Sequence, residues 1–225
     1  MIAMKTALWL TLCALGTVAA TGCSSGMKYK VDDAALDNVS ASEKKDMFAA
    51  KNEIEVANSE LRTAQTRLEA LERDLDVAKN EKKQAELEVE KAATEEESAV
   101  ASRDENRHAK AKQGKETAAF GVKVADAKLD WLDKKEDALK ADKAAAEAHQ
   151  KAAEAKTEFE KAKLAQQKNI KPDSSFSVSD YESQWKDKNS DWESAKKDAE
   201  SETKKANERE KDWKDLVAQH QKLRG

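Results

Sequence analysis

The chain has very little of what shapes a compact globular domain. Its 225 residues include one proline and six glycines, and only 5% are aromatic. So few turn-forming residues exclude a fold made of many short strands and loops. So few large apolar side chains, against 38% charged residues, exclude a thick hydrophobic core. The composition favours an all-α fold of long helices or coiled coils.

Motifs for catalysis and ligand binding are also missing. The histidines His108, His149 and His220 lie far apart and have no metal-ligand spacing. We expect His220 on a helix-pairing face and the other two in solvent. There is no glycine-rich phosphate loop and no nucleophile motif. The sequence therefore predicts a protein that is not an enzyme, with no catalytic residue, metal, cofactor or small-molecule substrate.

An excess of one charge is lacking too. The chain has 41 Lys and Arg residues against 45 Asp and Glu residues, and both signs are interleaved along it. A nucleic-acid binder needs a basic face to neutralise phosphates, so no nucleic acid is expected as a partner. A disordered acidic tail is excluded in the same way.

A single long apolar run occurs, at the N-terminus. After Lys5 the chain reads "TALWLTLCALGTVAA" and ends in small residues. This run is too short to span a bilayer as a permanent helix. It predicts a secretory signal peptide over residues 1–22.

The end of this run, Ala20-Thr21-Gly22-Cys23, resembles the lipobox of bacterial lipoproteins. In that family, signal peptidase II cuts before a cysteine that carries a diacylglyceryl group. Thr21, Gly22 and the following "SSG" match the pattern, whereas Ala20 stands where Leu is usual. The resemblance covers about 26 residues and implies lipidation of Cys23 by diacylglycerol and an N-acyl chain such as palmitate. Ser24 implies a place in the outer membrane, facing the periplasm, if the cell is Gram-negative.

A second interpretation remains open at this site. The ordinary signal peptidase could cut after Val18-Ala19-Ala20 and leave Cys23 as a free thiol. Cys13 would be lost with the leader, so the mature chain would keep one cysteine and form no internal disulfide. An unpaired secreted thiol is prone to oxidation, and acylation removes that liability. Each buried methylene of an acyl chain adds about 0.8 kcal/mol of membrane affinity.

Residues 23–39 are predicted to be a lipidated N-terminus and tether, because they are polar without sustained periodicity. Ser40 and Glu43 then form a capping box, and helix 1 is predicted over residues 40–112. Its apolar residues alternate at three and four positions, which is typical of a coiled coil. The main members of this helix 1 seam are Ile54, Leu61, Leu68, Leu71, Leu75 and Val89.

Residues 113–225 are predicted to form an antiparallel helical hairpin, about 116–168 with 179–223. Pro172 and the segment after it end the first of these helices. Folding the chain back at Pro172 brings apolar seams level. The predicted level pairs are Trp185 with Phe159, Trp192 with Ala152, Ala199 with Ala145, Trp213 with Trp131, and His220 with Val124. We interpret these aromatic residues as hairpin core rather than as a stripe that binds sugar or lipid.

The sequence leaves the position of helix 1 open. Gly114 could mark a turn, which would give a three-helix bundle. Alternatively, the heptad phase continues from helix 1 into the next helix, which would give one rod, because a single glycine costs only about 1 kcal/mol in a helix. In a rod, the helix 1 seam would need another copy of the chain or an envelope protein as its partner.

Three classes of function follow. The first is a membrane-anchored structural or interaction coiled coil of the cell envelope, held in the bilayer through acylated Cys23. The second is a periplasmic holdase or envelope assembly factor, which would need exposed apolar patches. The third is a stress or desiccation protein that becomes helical on drying. The matched tryptophan-bearing seams argue against that third class.

Overall fold

The computed structural model describes residues 27–172 and 175–224. Within these ranges it contains a 3₁₀ turn, Asp33–Leu36, and three long α-helices without any strand. The helices are α1 (Lys45–Ala101), α2 (Glu105–Gln167) and α3 (Val178–Arg224). The predicted all-α fold is therefore confirmed. With 63 residues, α2 is about 95 Å long at 1.5 Å per residue.

The middle helix, α2, packs against both of the others. Phe159 stacks on Trp185 and Trp131 on Trp213, so α2 and α3 run antiparallel. This confirms the predicted hairpin of about 116–168 with 179–223. Helix α1 also runs antiparallel to α2, but none of the described Cα atoms of α1 lies within 8 Å of one in α3. The fold is thus two antiparallel hairpins that share α2.

Helix α1 is shorter than predicted at both ends. It begins at Lys45 rather than near Ser40, although the Ser40 N–H does donate to Glu43 Oε2 at 3.3 Å, as the capping box requires. It ends at Ala101 rather than near residue 112. The predicted boundary at residue 113 lies inside α2. Residues 113–225 are therefore not a separate hairpin, because the first part of α2 packs on α1.

The chain reverses between α1 and α2 at residues 102–104. Arg103 has a φ of 56°, a left-handed conformation that few residues other than glycine adopt. Asp104 then caps α2, because its Oδ1 accepts from the Arg107 N–H at 3.0 Å. Gly114 lies inside α2. The alternative in which helix 1 folds back is therefore confirmed, but its turn lies at residues 102–104 rather than at Gly114, and the continuous rod is wrong.

Helix α2 buries two stripes, one for each neighbour. Trp131 belongs to the stripe that faces α3, whereas Leu132 and Leu139 pack on α1. One residue along a helix is a rotation of about 100°, so α1 and α3 lie on adjacent sides of α2. The buried stripe toward α1, with a seven-residue spacing, is Ala125, Leu132, Leu139, Ala146 and Ala153.

The core between α1 and α2 is built on the helix 1 seam. Leu71, Leu75 and Ala78 are buried against Leu132 and Leu139. Of the other predicted seam residues, Leu68 packs against the same cluster, and three are half-buried along α1: Ile54, Leu61 and Val89. The α1 seam therefore has its partner within the chain.

Aromatic stacking fixes the register of α2 on α3. The Trp131 and Trp213 rings are 4.8 Å apart at 7°, and those of Phe159 and Trp185 are 5.4 Å apart at 7°. Both pairs agree with the level pairs predicted from the sequence. Stacked aromatic pairs contribute about 0.5–1.5 kcal/mol beyond the area they bury.

Two predicted pairs differ in detail. Trp192 stacks on His149, with ring centroids 4.1 Å apart, rather than lying on Ala152. His220 stacks on Phe120, one turn from the predicted Val124. In both cases the large ring of α3 takes an aromatic neighbour within one turn, which an alanine or valine at the level position does not provide.

We expect Leu132→Ala to lower the free energy of unfolding by about 2–5 kcal/mol, because it opens a cavity in the core between α1 and α2. Leu132 is 1% exposed, whereas Leu87 is 61% exposed. Leu87→Ala is the matched control and should change stability by less than about 0.5 kcal/mol. Urea unfolding of the chain from residue 24 onward measures both, and equal losses would contradict this packing.

Candidate interaction surfaces

An open groove runs between α1 and α3, with α2 as its floor. It exists because the two outer helices lie on adjacent sides of α2, with none of their described Cα atoms within 8 Å of each other. One widened part encloses about 590 Å³. Its lining comes from all three helices and includes Val56, Glu60, Arg67, Asp142, Trp192 and Lys196.

Charged residues with a seven-residue spacing line the contact between α1 and the groove floor. Because the helices are antiparallel, each step of seven forward in α1 matches a step of seven backward in α2. The level pairs are Glu53 with Lys156, Glu60 with His149, Arg67 with Asp142, Asp74 with Lys135, and Glu81 with Lys128. Each pair joins opposite charges or an acid and a histidine. We call this set the charge ladder.

Contacts in the structure support the ladder at three of its positions. Lys156 Nζ lies 2.7 Å from Glu53 Oε1, and His149 Nδ1 lies 2.8 Å from Glu60 Oε2. Lys128 forms an ion pair with Glu81. Charged pairs that flank a coiled-coil core choose partner and register more than they add stability.

At the middle position of the ladder the charges are exchanged between the helices: the base, Arg67, lies on α1 and the acid, Asp142, lies on α2. Partial burial raises the pKa of Asp142, and the positive charge of Arg67 opposes that rise. A slip of seven residues would bring Arg67 level with Lys135 or His149 instead of Asp142. Because like charges then face each other, the reversed pair penalises the shifted register.

His149 joins the three long helices. It lies on α2, donates from Nδ1 to Glu60 of α1, and stacks on Trp192 of α3. Its side chain is 12% exposed, so the prediction that it faces solvent is wrong. The seven-residue spacing that it shares with Lys128 and Lys156 could have placed it on the groove floor. His108 is largely exposed, as predicted.

We expect Arg67→Asp to destabilise the bundle, because it places two carboxylates level at Asp142. Combining it with Asp142→Arg should restore the pair, with a coupling free energy of about 0.5–1 kcal/mol in a double-mutant cycle. Arg73→Asp, on the exposed side of α1, is the control. Zero coupling in urea unfolding would contradict the ladder.

At the other side of α2, four side chains hold the backbone of residues 28–31. Gln184 Oε1 accepts from the N–H groups of Lys28 and Tyr29, at 2.9 and 3.2 Å. The Tyr181 hydroxyl donates to Lys30 O at 3.1 Å. The clasp consists of Glu158, Lys161, Tyr181 and Gln184.

The charged half of the clasp is buried. The Val31 N–H donates to Glu158 Oε2 at 2.7 Å. Lys161, 8% exposed, lies 2.8 Å from Glu158 Oε1 and 2.6 Å from Asp33 Oδ1. Burial lowers the pKa of Lys161, but its hydrogen bonds to Asp33 and Glu158 raise it overall. The hydrogen bond from Lys161 lowers the pKa of Asp33.

Residues 28–39 are consequently a packed segment, which differs from the predicted tether. Val31, Leu36 and Val39 are buried against Ala162 and Ala165 near the end of α2. The six apolar residues of this twelve-residue segment follow no sustained periodicity, which is why the sequence pattern predicted a linker: Tyr29, Val31, Ala34, Ala35, Leu36 and Val39.

The pH dependence of the clasp follows from the pKa of Asp33. Because the pKa of Asp33 is lowered on folding, the ionised carboxylate stabilises the fold above its ordinary pKa of 3.8. This effect is lost as the pH falls through the lower pKa of the folded state. We expect Asp33→Asn to cost about 0.5–1 kcal/mol at pH 7. Urea unfolding should show this difference shrink as the pH falls below 3.8 and the carboxylate becomes protonated in the folded protein.

Asp37→Asn, at an exposed residue of the same segment, is the control and should change stability little at either pH. A loss from Asp33→Asn that stayed constant between pH 7 and pH 3 would contradict the ionic clasp.

The described residues offer no site for metal chemistry and no membrane span. Residues 27–172 and 175–224 contain no cluster of three His, Cys, Asp or Glu side chains that could hold a metal ion. In the same part of the chain, no helix is both long and apolar enough to cross a bilayer. Lipobox residues Ala20, Thr21, Gly22 and Cys23 lie outside the described residues.

Comparison with known proteins adds no relative. No protein-family model matches the chain, and no significant match occurs among curated proteins or solved structures.

Proposed function

We propose that this chain is a lipid-anchored bacterial lipoprotein and serves as a non-catalytic spacer and interaction coiled coil in the cell envelope, in the outer membrane and facing the periplasm. The lipobox resemblance at Ala20–Cys23 supports the anchor. The three-helix rod behind it, with charged outer faces, supports the spacer.

The observation that carries the proposal is the clasp. From Cys23 to Lys28 there are five residues, which span at most about 18 Å. Clasp side chains then fix the backbone from Lys28 onward. An acyl chain on Cys23 would therefore be coupled to the folded body by a short connection. This suits a protein that must hold a rod near a membrane.

The length of α2 sets the distance that such a spacer would bridge. The clasp lies near the end of α2, at Glu158 and Lys161, whereas the turn at residues 102–104 lies about 85 Å away at 1.5 Å per residue. We name these the closed end and the open end of the bundle. An envelope partner would meet the open end, the groove or the outer charged faces, because α2 covers the helix 1 seam.

The holdase alternative is less well supported. A holdase needs a contiguous apolar patch for unfolded chains. The exposed large apolar residues are instead scattered along the helices: Phe48, Val56, Val77, Leu87, Val100 and Leu223. Their distribution favours the spacer.

Replacing Cys23 with Ser tests the anchor. We expect Cys23→Ser to move the protein from the membrane fraction to the soluble fraction and to abolish incorporation of labelled palmitate. Cys13→Ser, within the leader, is the matched control and should keep both properties. Membrane residence that survived in Cys23→Ser would overturn the proposal.

A further inference from the structure

The side of α1 that faces away from α2 carries few charges. It consists of fifteen residues at alternating steps of three and four, all of them exposed except Ala70. Only Arg73 and Lys91 among them are charged. We call this set the outer stripe: Ala49, Asn52, Val56, Ser59, Thr63, Thr66, Ala70, Arg73, Val77, Asn80, Gln84, Leu87, Lys91, Thr94 and Ser98.

Exposure shows that the outer stripe is separate from the helix 1 seam. Val77 of the stripe is 54% exposed, whereas Ala78, the next residue, is fully buried against α2. Val56 and Leu87 of the stripe are also among the exposed large apolar residues. Because the stripe and the seam share a seven-residue spacing, they stay on different sides of α1 along its whole length.

Acidic residues border the outer stripe on both sides. The two bordering series have a seven-residue spacing and begin at Asp46 and Phe48, and together they hold three bases, Arg62, Arg67 and Lys83. We call the two series the acidic flanks, and their twelve acids are Asp46, Glu53, Glu55, Glu60, Glu69, Asp74, Asp76, Glu81, Glu88, Glu90, Glu95 and Glu97.

Neighbouring bases offset only part of this negative charge. Three side chains of α2 contact acids of the flank nearer the groove: Lys128, His149 and Lys156. On the other flank, Asp76 lies 3.7 Å from Lys79, and Glu55, Glu69 and Glu90 are exposed. In total α1 has fifteen Asp and Glu residues against nine Lys and Arg residues. The helix therefore keeps a net negative charge.

The outward sides of the other two helices are charged instead. Exposed examples are Asp126, Asp133 and Lys140 on α2, and Glu208 and Asp215 on α3. Charged residues are usual on a helix side that only meets water. An uncharged stripe between charged flanks is typical of a helix that pairs with another helix. Helix α2 of this chain already pairs on two sides.

The acidic flanks determine which partner fits the outer stripe. If the stripes of two copies of this chain paired, acidic flanks would face each other in either orientation, and like charges would weaken the pair. A helix with Lys or Arg on both flanks, and uncharged residues between them, has the complementary pattern.

The length of the outer stripe suits a stable contact. From Ala49 to Ser98 it is about 74 Å long at 1.5 Å per residue. A contact about 10 Å wide, one helix diameter, would bury about 740 Å² on each partner and about 1,500 Å² in total. Specific protein interfaces typically bury about 1,200–2,000 Å².

We propose that the outer stripe and the acidic flanks form a docking face for one amphipathic helix of another protein, a helix with basic flanks. The uncharged side of that helix packs on Val56, Val77 and Leu87, and its Lys or Arg side chains pair with the acidic flanks. This inference rests on the proposed interaction role and not on the lipid anchor, so Cys23→Ser and the binding experiments below can fail separately.

A synthetic helix tests the docking face. The probe is a labelled peptide of seven heptads, about the length of the outer stripe, with Leu and Ala on its seam. Lys on both flanks keeps it from pairing with itself. Fluorescence anisotropy measures its binding to the chain from residue 24 onward, and we expect binding that weakens as salt is added.

The same peptide with Glu in place of each flanking Lys is the matched control and should not bind. Equal binding of the two peptides, or no binding of the lysine peptide, would overturn the proposal.

Charge reversal locates the docking face. Glu69→Lys combined with Asp76→Lys should raise the Kd of the lysine peptide about tenfold, because two attractive contacts become repulsive. Glu208→Lys combined with Asp215→Lys makes the same change, also seven residues apart, on the exposed side of α3. This control should leave the Kd within about twofold. Equal weakening by both double variants would refute the location.

A new charge on the outer stripe separates docking from general attraction. Val77→Glu would bury a carboxylate in the docked complex, so we expect weaker binding although the protein gains a negative charge. Ala218→Glu adds the same charge at an exposed residue of α3 and is the control. Tighter binding by Val77→Glu would show that attraction alone holds the peptide, and would overturn the docking face.

Sedimentation of the chain without peptide tests the other occupant, a second copy. We expect a monomer at the concentrations of the binding experiment, because the acidic flanks repel each other. A dimer that dissociates in Val77→Glu would assign the outer stripe to self-pairing and overturn the basic helix as its partner.

Discussion

Everything else in this bundle depends on the way in which α2 serves two helices at once. Its stripe toward α1 lies one residue, and so about 100°, from its stripe toward α3. Leu132 faces one neighbour while Trp131 stacks on the other. Because α1 and α3 each bury their apolar face against α2, they do not have to pack against each other. The groove between them is a direct result.

Two different interactions specify how each hairpin closes. Between α2 and α3, flat aromatic stacks such as Trp131 on Trp213 leave little freedom to slide. Between α1 and α2, the seam is mostly leucine and alanine, which tolerate slippage by a heptad. The charge ladder supplies register there, and the reversed pair of Arg67 and Asp142 makes it directional. His149 connects the two systems.

The clasp gives the bundle two unlike ends. At the closed end, residues 28–39 cover the side of α2 that is exposed elsewhere, and the buried Lys161 is neutralised by Glu158 and Asp33. At the open end, the chain turns at Arg103 and α3 ends without a comparable cover. An elongated molecule with one end linked to its N-terminus suits attachment to a surface.

Parts of this arrangement could be predicted from the sequence. The hairpin followed from Trp131, Trp213, Phe159 and Trp185, because large rings at matched seam positions fit a single register. The turn between α1 and α2 could not be predicted, because the residue with the left-handed conformation is Arg103 and not a glycine. The stripe of α2 that packs on α1 was not predicted. Its alanines and leucines each follow a residue of the stripe that packs on α3, so a search for one seven-residue pattern finds only the first stripe.

The clasp was harder to predict than either of these features. Its hydrogen bonds join Lys28 and Val31 to residues more than a hundred positions away. A pattern within a short stretch of sequence therefore cannot predict them. The lipobox at Cys23, in contrast, is a purely local resemblance, and the described residues do not bear on it.

The central claim, that α1 folds back on α2 within one chain, has a direct test. Spin labels on cysteines at Ser59 and Lys151, both exposed, would lie on adjacent antiparallel helices, and pulsed electron resonance should give one distance below about 30 Å, the width of two helices plus the labels. Dilution with unlabelled protein should leave that distance unchanged. A separation near 140 Å, about 1.5 Å for each intervening residue of a continuous rod, would give no measurable coupling. That result, or a short distance lost on dilution, would contradict the account.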